Sequence, residues 1–298
     1  MATDKEQIGR IGDDPRRPIL IAGPTGAGKS ALALKIARDR GGVIVNADSL
    51  QVYSGWRILT ARPTPEEEAM LPHYLYGHVP YQEDYSVGQW LRDLQCVLAR
   101  ERARPIIVGG TGLYFSALTE GLAEIPPIPQ DIREQARKQM AKDGISALLR
   151  DLDAQSRMRI DTHNPVRIQR AWEVLKATGK GLAQWQDETP PPLMPLADCD
   201  TLLIEADRDW LNQRIERRFD RMLETGALEE ARAMLADWDA RRLSSRAIGA
   251  AELIAHLQGD LSLEDAIKRS KTLSRRYAKR QRTWFRARMS GWNRLILP

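Results

Sequence analysis

Cysteine is scarce in this 298-residue chain, which carries only Cys96 and Cys199. Two thiols are too few for the disulfide framework of a small secreted domain or for a cysteine-rich zinc site. Long apolar runs are also missing, because no uninterrupted run is longer than that of residues 19–22. A membrane-spanning helix needs about 20 such residues. The sequence therefore predicts neither a disulfide scaffold nor association with a membrane.

Compositional bias is absent as well. Hydrophobic residues make up 42% and charged residues 29% of the chain, which is ordinary for globular proteins and excludes disordered and collagen-like classes. The chain is long enough for about two domains with a large core. Residues 1–17 form a polar N-terminal segment without the apolar stretch of a secretory signal. We therefore expect a cytoplasmic protein.

The charge is unevenly distributed along the chain. Residues 241–298 hold 14 Lys and Arg against four acidic residues, whereas the remainder holds 31 basic and 36 acidic residues. A basic tail on a slightly acidic body is typical of proteins that bind a polyanion, with nucleic acid favoured over a membrane surface. A solvated basic face is the alternative explanation.

The first 115 residues alternate between strand and helix patterns. Strands are predicted at 18–22, 43–45 and 105–108, and amphipathic helices at 30–38 and 86–102. Such alternation indicates an α/β fold with a parallel sheet that helices cover on both faces.

The pattern becomes purely helical after the proline-rich connection 125–129. It stays helical from Asp131 to Trp185 and ends before the prolines 190–192, after which strands are predicted at 201–204 and 295–297 and a helix at 210–222. Two proline-rich joints around a helical stretch predict an insertion into the α/β domain. We therefore assign residues 18–121 and 195–298 to the core, and 122–194 to an all-helical insertion domain.

A phosphate-binding loop follows the first predicted strand and precedes the first predicted helix. It reads Gly23-Pro24-Thr25-Gly26-Ala27-Gly28-Lys29-Ser30 and fits the pattern G-x-x-x-x-G-K-[ST]. Its glycines let backbone N–H groups turn toward phosphate oxygens, Lys29 supplies a positive charge, and the Ser30 hydroxyl can ligate Mg²⁺. The core is therefore predicted to resemble the P-loop nucleotide hydrolases.

The acid that such proteins carry at the end of a second strand is in an unusual place. The strand 105–108 ends in glycines and Thr111, whereas Asp48 follows the strand 43–45. Because ligands of open α/β sheets bind at the carboxyl ends of the strands, we expect Asp48 and Thr111 to face the bound phosphates. A helix cap or a turn is the alternative role for Asp48.

Six motifs occur in a characteristic order and resemble one family. They are the phosphate loop, Asp48-Ser49-Leu50-Gln51-Val52-Tyr53, Thr60-Ala61-Arg62-Pro63, Gly109-Gly110-Thr111-Gly112-Leu113-Tyr114, Arg167-Ile168-Gln169-Arg170-Ala171 and Tyr277-Ala278-Lys279-Arg280-Gln281. Together they resemble the tRNA dimethylallyltransferases, also called tRNA isopentenyltransferases. The resemblance extends from about Ile19 to Phe285. It departs from the family pattern at Ala250-Ala251, where an aromatic and a basic or polar residue are usual.

The resemblance implies a reaction. Members of the family transfer a dimethylallyl group from its diphosphate to the exocyclic amine of the adenine 3′ of the anticodon, at position 37 of tRNA. It implies catalytic roles for Asp48 as general base and for Thr25, Lys29 and Thr111, with Mg²⁺ as cofactor. The tRNA anticodon stem-loop and dimethylallyl diphosphate are the expected partners, and a monomer is expected.

Further contacts are predicted for both substrates. Arg214 and Arg218 lie four residues apart on a predicted helix and could cap the diphosphate, or they could form a solvated face. The basic helix 269–288 should follow the RNA backbone. Its stripe of Leu273, Tyr277 and Trp284 should pack against the core, with stacking on RNA bases as the alternative. The resemblance and this helix together give the expected tRNA contacts: Asp48, Ser49, Leu50, Gln51, Thr111, Arg133, Val166, Arg167, Ile168, Gln169, Arg170, Ser245, Arg246, Gly249, Lys279 and Arg280.

Two other classes of function fit parts of the sequence. A phosphate-loop kinase would explain the loop and the fold, but not the helical insertion or the basic tail. A nucleotide-dependent RNA-binding switch would explain the charge but leaves Asp48 without a role. Both should bind a nucleoside triphosphate tightly, whereas a prenyltransferase should prefer a diphosphate with an apolar tail.

Overall fold

The protein is built around a six-stranded parallel sheet, seen in a computed structural model that describes residues 11–298. The strands are β1 (Ile19–Ala22), β2 (Val43–Asn46), β3 (His73–Tyr74), β4 (Pro105–Gly109), β5 (Asp200–Ala206) and β6 (Arg294–Leu297), in the spatial order β3-β2-β4-β1-β5-β6. All neighbouring pairs are parallel. The predicted fold class, a P-loop-like α/β core, is confirmed.

Both faces of the sheet are buried at its centre, where every residue of β1 and β2 and all but the first residue of β4 are buried. Ile19 and Ile21 of β1 pack into one hydrophobic cluster, and Leu20 packs into another on the opposite face. This alternation follows from the two-residue period of a strand. The central strand β1 therefore has a fixed register, which fixes where the loop after Ala22 begins.

Thirteen α-helices are described in residues 11–298. They are α1 (Lys29–Arg40), α2 (Pro65–Met70), α3 (Val87–Arg100), α4 (Gly112–Glu120), α5 (Gln130–Asp143), α6 (Ile145–Asp151), α7 (Ala154–Arg159), α8 (Pro165–Thr178), α9 (Leu182–Asp187), α10 (Arg208–Glu224), α11 (Ala227–Met234), α12 (Ala250–Leu257) and α13 (Leu263–Arg288). None of the helices in this part of the chain is long and apolar enough to cross a membrane.

Side-chain caps determine where several of these helices begin. Ser86 accepts a hydrogen bond from the Gln89 amide and forms a capping box at the start of α3. Asn164 caps α8 through the amides of Val166 and Arg167, and Ser262 caps the 26-residue helix α13. Helices α8 and α13 carry many of the predicted tRNA contacts, and these caps fix the residue at which each of the two helices begins.

The chain divides into two compact units. One comprises the residues up to Thr119 together with Met194–Pro298, and the other comprises Glu120–Leu193. The second unit contains helices α5 to α9 around its own small core, where Leu148, Ile168 and Trp172 are almost fully buried. Helices α2, α4, α11 and α12 and the short strand β3 were not predicted from the sequence, because short elements carry little periodic signal.

The N-terminal segment is only partly covered, because residues 1–10 lie outside the described residues. The described end packs onto the core: Ile11 is 5% exposed, and buried Arg104 donates hydrogen bonds to the carbonyl groups of Gly12 and Asp14. Asp200 accepts hydrogen bonds from the Gly12 amide and the Arg17 guanidinium. Residues 11–17 are therefore held against the core unit by buried polar contacts.

Candidate active site

The phosphate loop has the backbone shape that its glycines predict. Gly26 and Gly28 have φ of 82° and 88°, in the left-handed region that other residues avoid. A Cβ on Gly26 would also lie 3.0 Å from Cγ1 of Ile215 in α10. The loop runs from the end of β1 to the first residue of α1, so its amides and the positive end of the helix dipole lie together.

Lys29 lies near the charged groups of Asp48 and Arg218. Its ammonium donates a 2.8 Å hydrogen bond to the Pro24 carbonyl. Burial lowers the pKa of this ammonium to about 8, although nearby Asp48 opposes the shift; Arg218 adds to it. The lysine is therefore mostly charged at neutral pH but held in surroundings that favour the neutral form, and an added anion would stabilise its charge.

Asp48 is fixed by a turn immediately after β2. Its amide donates to Oδ1 of Asn46 at 2.8 Å, and one of its own carboxylate oxygens, Oδ1, accepts from the Leu50 amide at 3.0 Å. The alternative role of Asp48 as a turn residue therefore applies to Oδ1 alone. The other carboxylate oxygen, Oδ2, lies so close to Gly110 that a Cβ there would be 3.3 Å from it. The turn holds the carboxylate and leaves Oδ2 without a hydrogen-bond partner in the described chain.

Thr111 is linked to the Asp48 turn. Its Oγ1 accepts a 2.9 Å hydrogen bond from the Ser49 amide and lies 3.2 Å from Oγ of Ser49, to which it donates. The Thr111 amide in turn donates to the Ala47 carbonyl. The loops that follow the neighbouring strands β2 and β4 are therefore connected at the carboxyl edge of the sheet, the edge at which Asp48 and Thr111 are expected.

A cavity lined by both polar and apolar side chains lies next to these groups. Its polar lining residues are Thr25, Asp48, Thr60, Arg218, Ser274 and Tyr277. Its apolar lining residues are Leu50, Leu59, Ile215, Phe219, Met222 and Ile248. Such a cavity suits a ligand with a charged head and a short hydrocarbon tail.

Tyr277 corrects one expectation from the sequence. It was predicted to pack in the core with Leu273 and Trp284, but it lines the cavity. Burial raises the pKa of its hydroxyl, and the nearby Asp48 charge raises it further. Trp284 does pack inside, edge-on against Phe285 and against Gly112. The tyrosine was missed because it shares a helical stripe with packing residues.

The two arginines of α10 differ in their surroundings. Arg218 lines the cavity, and burial lowers its pKa while Asp48 opposes that shift. Arg214 is exposed, donates a 3.0 Å hydrogen bond from Nε to the Gly26 carbonyl, and lies over the ring of Trp210. The alternative that these arginines form a solvated face therefore does not hold for Arg218, because it lines the cavity. Both arginines lie at the phosphate loop.

The expected tRNA contacts of the core unit fall into two groups. Lys279, Arg280 and Arg246 are exposed. The others are engaged internally. Leu50 lines the cavity, and Nε2 of the Gln51 side chain donates to the carbonyl groups of Thr60 and Ala61. The Ser245 hydroxyl donates to the Asp239 carbonyl, and Gly249 is buried with φ of 96°. The residues of the second group therefore support the surface and the cavity through their internal contacts.

The expected contacts of the inserted unit also differ in exposure. Val166 and Arg167 are exposed, whereas Ile168 is only 1% exposed and packs in the core of this unit. A side-chain contact between Ile168 and RNA is therefore corrected to a packing role. Gln169 donates to Glu173 at 2.7 Å. Arg133 and Arg170 are half-buried neighbours, since burial and the Arg133 charge both lower the pKa of Arg170.

Residues that could hold a metal ion are few. Residues 11–298 contain no group of three or more His, Cys, Asp or Glu side chains suited to a metal. Ser30 is exposed at the start of α1, and its hydroxyl has no hydrogen-bond partner in the described chain. This arrangement fits Mg²⁺, which binds through one or two protein ligands together with substrate phosphates and water.

Comparison with known proteins identifies the family. The family model described as IPP transferase matches residues 51–288, and the model described as isopentenyl transferase matches residues 17–75. A Cereibacter sphaeroides protein named tRNA dimethylallyltransferase is 60% identical over 284 residues, which cover 95% of this chain and 97% of that protein.

Two solved structures are similar along most of the chain. The full-length tRNA isopentenylpyrophosphate transferase from Bacillus halodurans has 32% identity and a TM-score of 0.65, covering 94% of this chain and 90% of that one. A eukaryotic dimethylallyltransferase acting on tRNA has 26% identity and a TM-score of 0.81, covering 94% and 74%. This chain therefore belongs to the tRNA dimethylallyltransferase family.

Proposed function

We propose that this protein transfers a dimethylallyl group from dimethylallyl diphosphate to the exocyclic N6 amine of adenine 37 in tRNA. The observation that carries the proposal is the cavity beside the phosphate loop, whose lining combines the charged side chains of Asp48 and Arg218 with apolar residues. A diphosphate with a short apolar tail matches both kinds of lining residue. The proteins named above are called transferases of this kind.

The diphosphate end of the donor is assigned to the phosphate loop. Its backbone from Gly23 to Ser30 would hold the phosphate oxygens, with Lys29, Arg214 and Arg218 supplying positive charge. The allylic C–O bond breaks with its electron pair leaving on the diphosphate, so negative charge increases there in the transition state. Charges that are already positioned at the leaving group stabilise that state without reorganisation.

The acceptor end is assigned to Asp48. The N6 amine of adenine is a weak nucleophile because its lone pair is delocalised into the ring. As the N6–carbon bond forms, a proton must leave the nitrogen, and the Oδ2 oxygen of Asp48 is the group that accepts it. Thr111 and Ser49 hold the Asp48 turn. Thr25, in the cavity wall, contributes a hydroxyl on the donor side.

Magnesium and RNA complete the proposal. Mg²⁺ bound by Ser30 and the donor would neutralise charge on the departing diphosphate. Lys279, Arg280 and Arg246 in the core unit, and Arg133, Arg167 and Arg170 in the inserted unit, would contact phosphates or stack on splayed bases of the anticodon stem-loop. Within this proposal the protein acts in the cytoplasm as a monomer.

The test is a transfer assay on the purified protein. Unmodified tRNA is incubated with dimethylallyl diphosphate and Mg²⁺, digested to nucleosides and examined by mass spectrometry. The proposal predicts an adenosine that is heavier by one dimethylallyl group in place of one hydrogen. Tight binding of a nucleoside triphosphate together with an unmodified tRNA would contradict it and favour a kinase or a switch.

A further inference from the structure

Gln281 is a buried polar residue that bridges two loops of the candidate active site. It lies on α13 and is 6% exposed. Its Oε1 accepts a 2.8 Å hydrogen bond from the Thr25 amide in the phosphate loop, and its Nε2 donates a 2.9 Å hydrogen bond to the Gly110 carbonyl after β4. One side chain therefore ties together two segments that lie far apart in the sequence.

The surrounding backbone is shaped to admit this side chain. A Cβ on Gly110 would lie 2.3 Å from Nε2 of Gln281, and a Cβ on Gly109 would lie 2.0 Å from the Ala47 carbonyl oxygen. Only glycine lets the loop approach so closely. The bridge also needs one acceptor and one donor on the same group, which a side-chain amide supplies and an ionised carboxylate or an ammonium does not.

The two loops carry opposite halves of the proposed reaction. The phosphate loop holds Lys29, which is assigned to the diphosphate. The Gly110 loop adjoins Oδ2 of Asp48 and continues into Thr111, which holds the Asp48 turn through Ser49. The distance between leaving group and proton acceptor therefore depends on how these loops are joined.

Resting on the proposed function, we infer that Gln281 is a positioning residue that holds the phosphate loop and the Asp48–Thr111 edge at the separation that transfer requires. It touches neither the diphosphate nor the amine in this assignment. Because an enzyme gains rate from fixing reacting groups within a fraction of an ångström, loss of the bridge should lower the rate of the chemical step.

Two variants separate positioning from general packing. Gln281→Leu removes both hydrogen bonds, and Gln281→Glu keeps the acceptor while its ionised form loses the donor. Thr283→Val, an exposed change on the same helix, is the control. Single-turnover transfer is measured at saturating tRNA and dimethylallyl diphosphate, with tRNA affinity and thermal unfolding recorded for every variant.

The bridge predicts a specific pattern. Gln281→Leu should transfer at least tenfold more slowly than wild type, with tRNA affinity within twofold and the protein folded at the assay temperature. Relative to wild type, Gln281→Glu should recover as the pH falls from 8 to 6, because burial raises the pKa of a carboxyl and its protonated form again donates to Gly110. Gln281→Leu should show no such recovery, and Thr283→Val should match wild type.

Contrary results are equally clear. A wild-type rate for Gln281→Leu, a loss that only follows the unfolded fraction, or no acid recovery of Gln281→Glu would overturn the inference. If wild-type protein itself transfers nothing, the proposed function fails. In that case the Gln281 bridge is tested by the affinity of the protein for inorganic diphosphate. Gln281→Leu should weaken this affinity at least threefold, and an unchanged affinity would overturn the inference about Gln281 as well.

Discussion

The groups around the phosphate loop and the basic residues predicted to contact tRNA are built differently. Lys29 and Arg218 are enclosed beside Asp48, and burial lowers the pKa of each cation. Lys279, Arg280 and Arg167 are exposed. Enclosed charges interact strongly with a bound anion because little water screens them, whereas exposed charges contribute small, salt-dependent terms. The first set is suited to the chemical step, and the second to holding a polyanion.

The largest effect should come from the proton acceptor. Asp48→Asn keeps the shape and one acceptor oxygen but cannot take a proton, so the single-turnover rate should fall by about 10² to 10⁴. Affinities for tRNA and for the diphosphate should stay near those of wild type. If Asp48 acted chiefly beside Mg²⁺, diphosphate affinity would fall too and extra Mg²⁺ would restore part of it. A full transfer rate would remove Asp48 from the mechanism.

Removal of the enclosed lysine should follow in size. Lys29→Ala should lower turnover at least a hundredfold, or about 2.7 kcal/mol at about 1.36 kcal/mol per decade, because the leaving diphosphate loses a positioned charge. Lys35→Ala, an exposed lysine of the same helix, is the matched control. Turnover of Lys29→Ala within tenfold of wild type would contradict the assignment of this loop to the donor.

The pH dependence of donor binding also tests the role of the Lys29 charge. The free-state pKa of Lys29 is about 8, and a bound diphosphate raises it. The bound state therefore holds more protons, so affinity must fall as the pH rises above about 8. We expect the dissociation constant of dimethylallyl diphosphate, measured by calorimetry, to rise about tenfold from pH 7 to pH 9 in wild type. The dissociation constant of Lys29→Ala should lack this rise. Identical pH profiles for Lys29→Ala and wild type would contradict its assignment to Lys29.

The exposed residues should give the smallest effects. The double variant Lys279→Ala/Arg280→Ala should weaken tRNA binding and flatten the plot of log affinity against log salt by about 1 to 2, since each phosphate contact contributes about 0.7 to 0.9. Binding of the diphosphate should not change. Lys35→Ala/Arg38→Ala removes two exposed charges from α1 as the control. A slope unchanged from wild type would make Lys279 and Arg280 a solvated face.

Features that are encoded by neighbouring residues could be predicted from the sequence. The phosphate loop and its flanking strand and helix are set by adjacent residues, and the placement of Asp48 and Thr111 at carboxyl ends of strands follows from parallel topology. The family resemblance is confirmed by the comparisons. The role of each site residue stays a prediction.

Features that depend on distant segments could not be predicted. The apolar lining of the cavity gathers Leu50, Leu59, Phe219 and Ile248 from separate parts of the chain. The Gln281 bridge joins a helix to two loops that precede it by more than 170 residues. Ile168 was placed at the RNA from its motif, but it packs inside its unit, because a motif does not reveal which face of a helix is buried.

The division between enclosed and exposed charges has one direct test. Single-turnover transfer is measured for Lys29→Ala and for Lys279→Ala/Arg280→Ala while tRNA and donor concentrations are raised to saturation. We predict that the exposed double variant reaches within threefold of the wild-type rate, because saturation restores binding, whereas Lys29→Ala stays at least a hundredfold slower. An exposed variant that remains slow at saturation, or a Lys29 variant that recovers, would contradict the account.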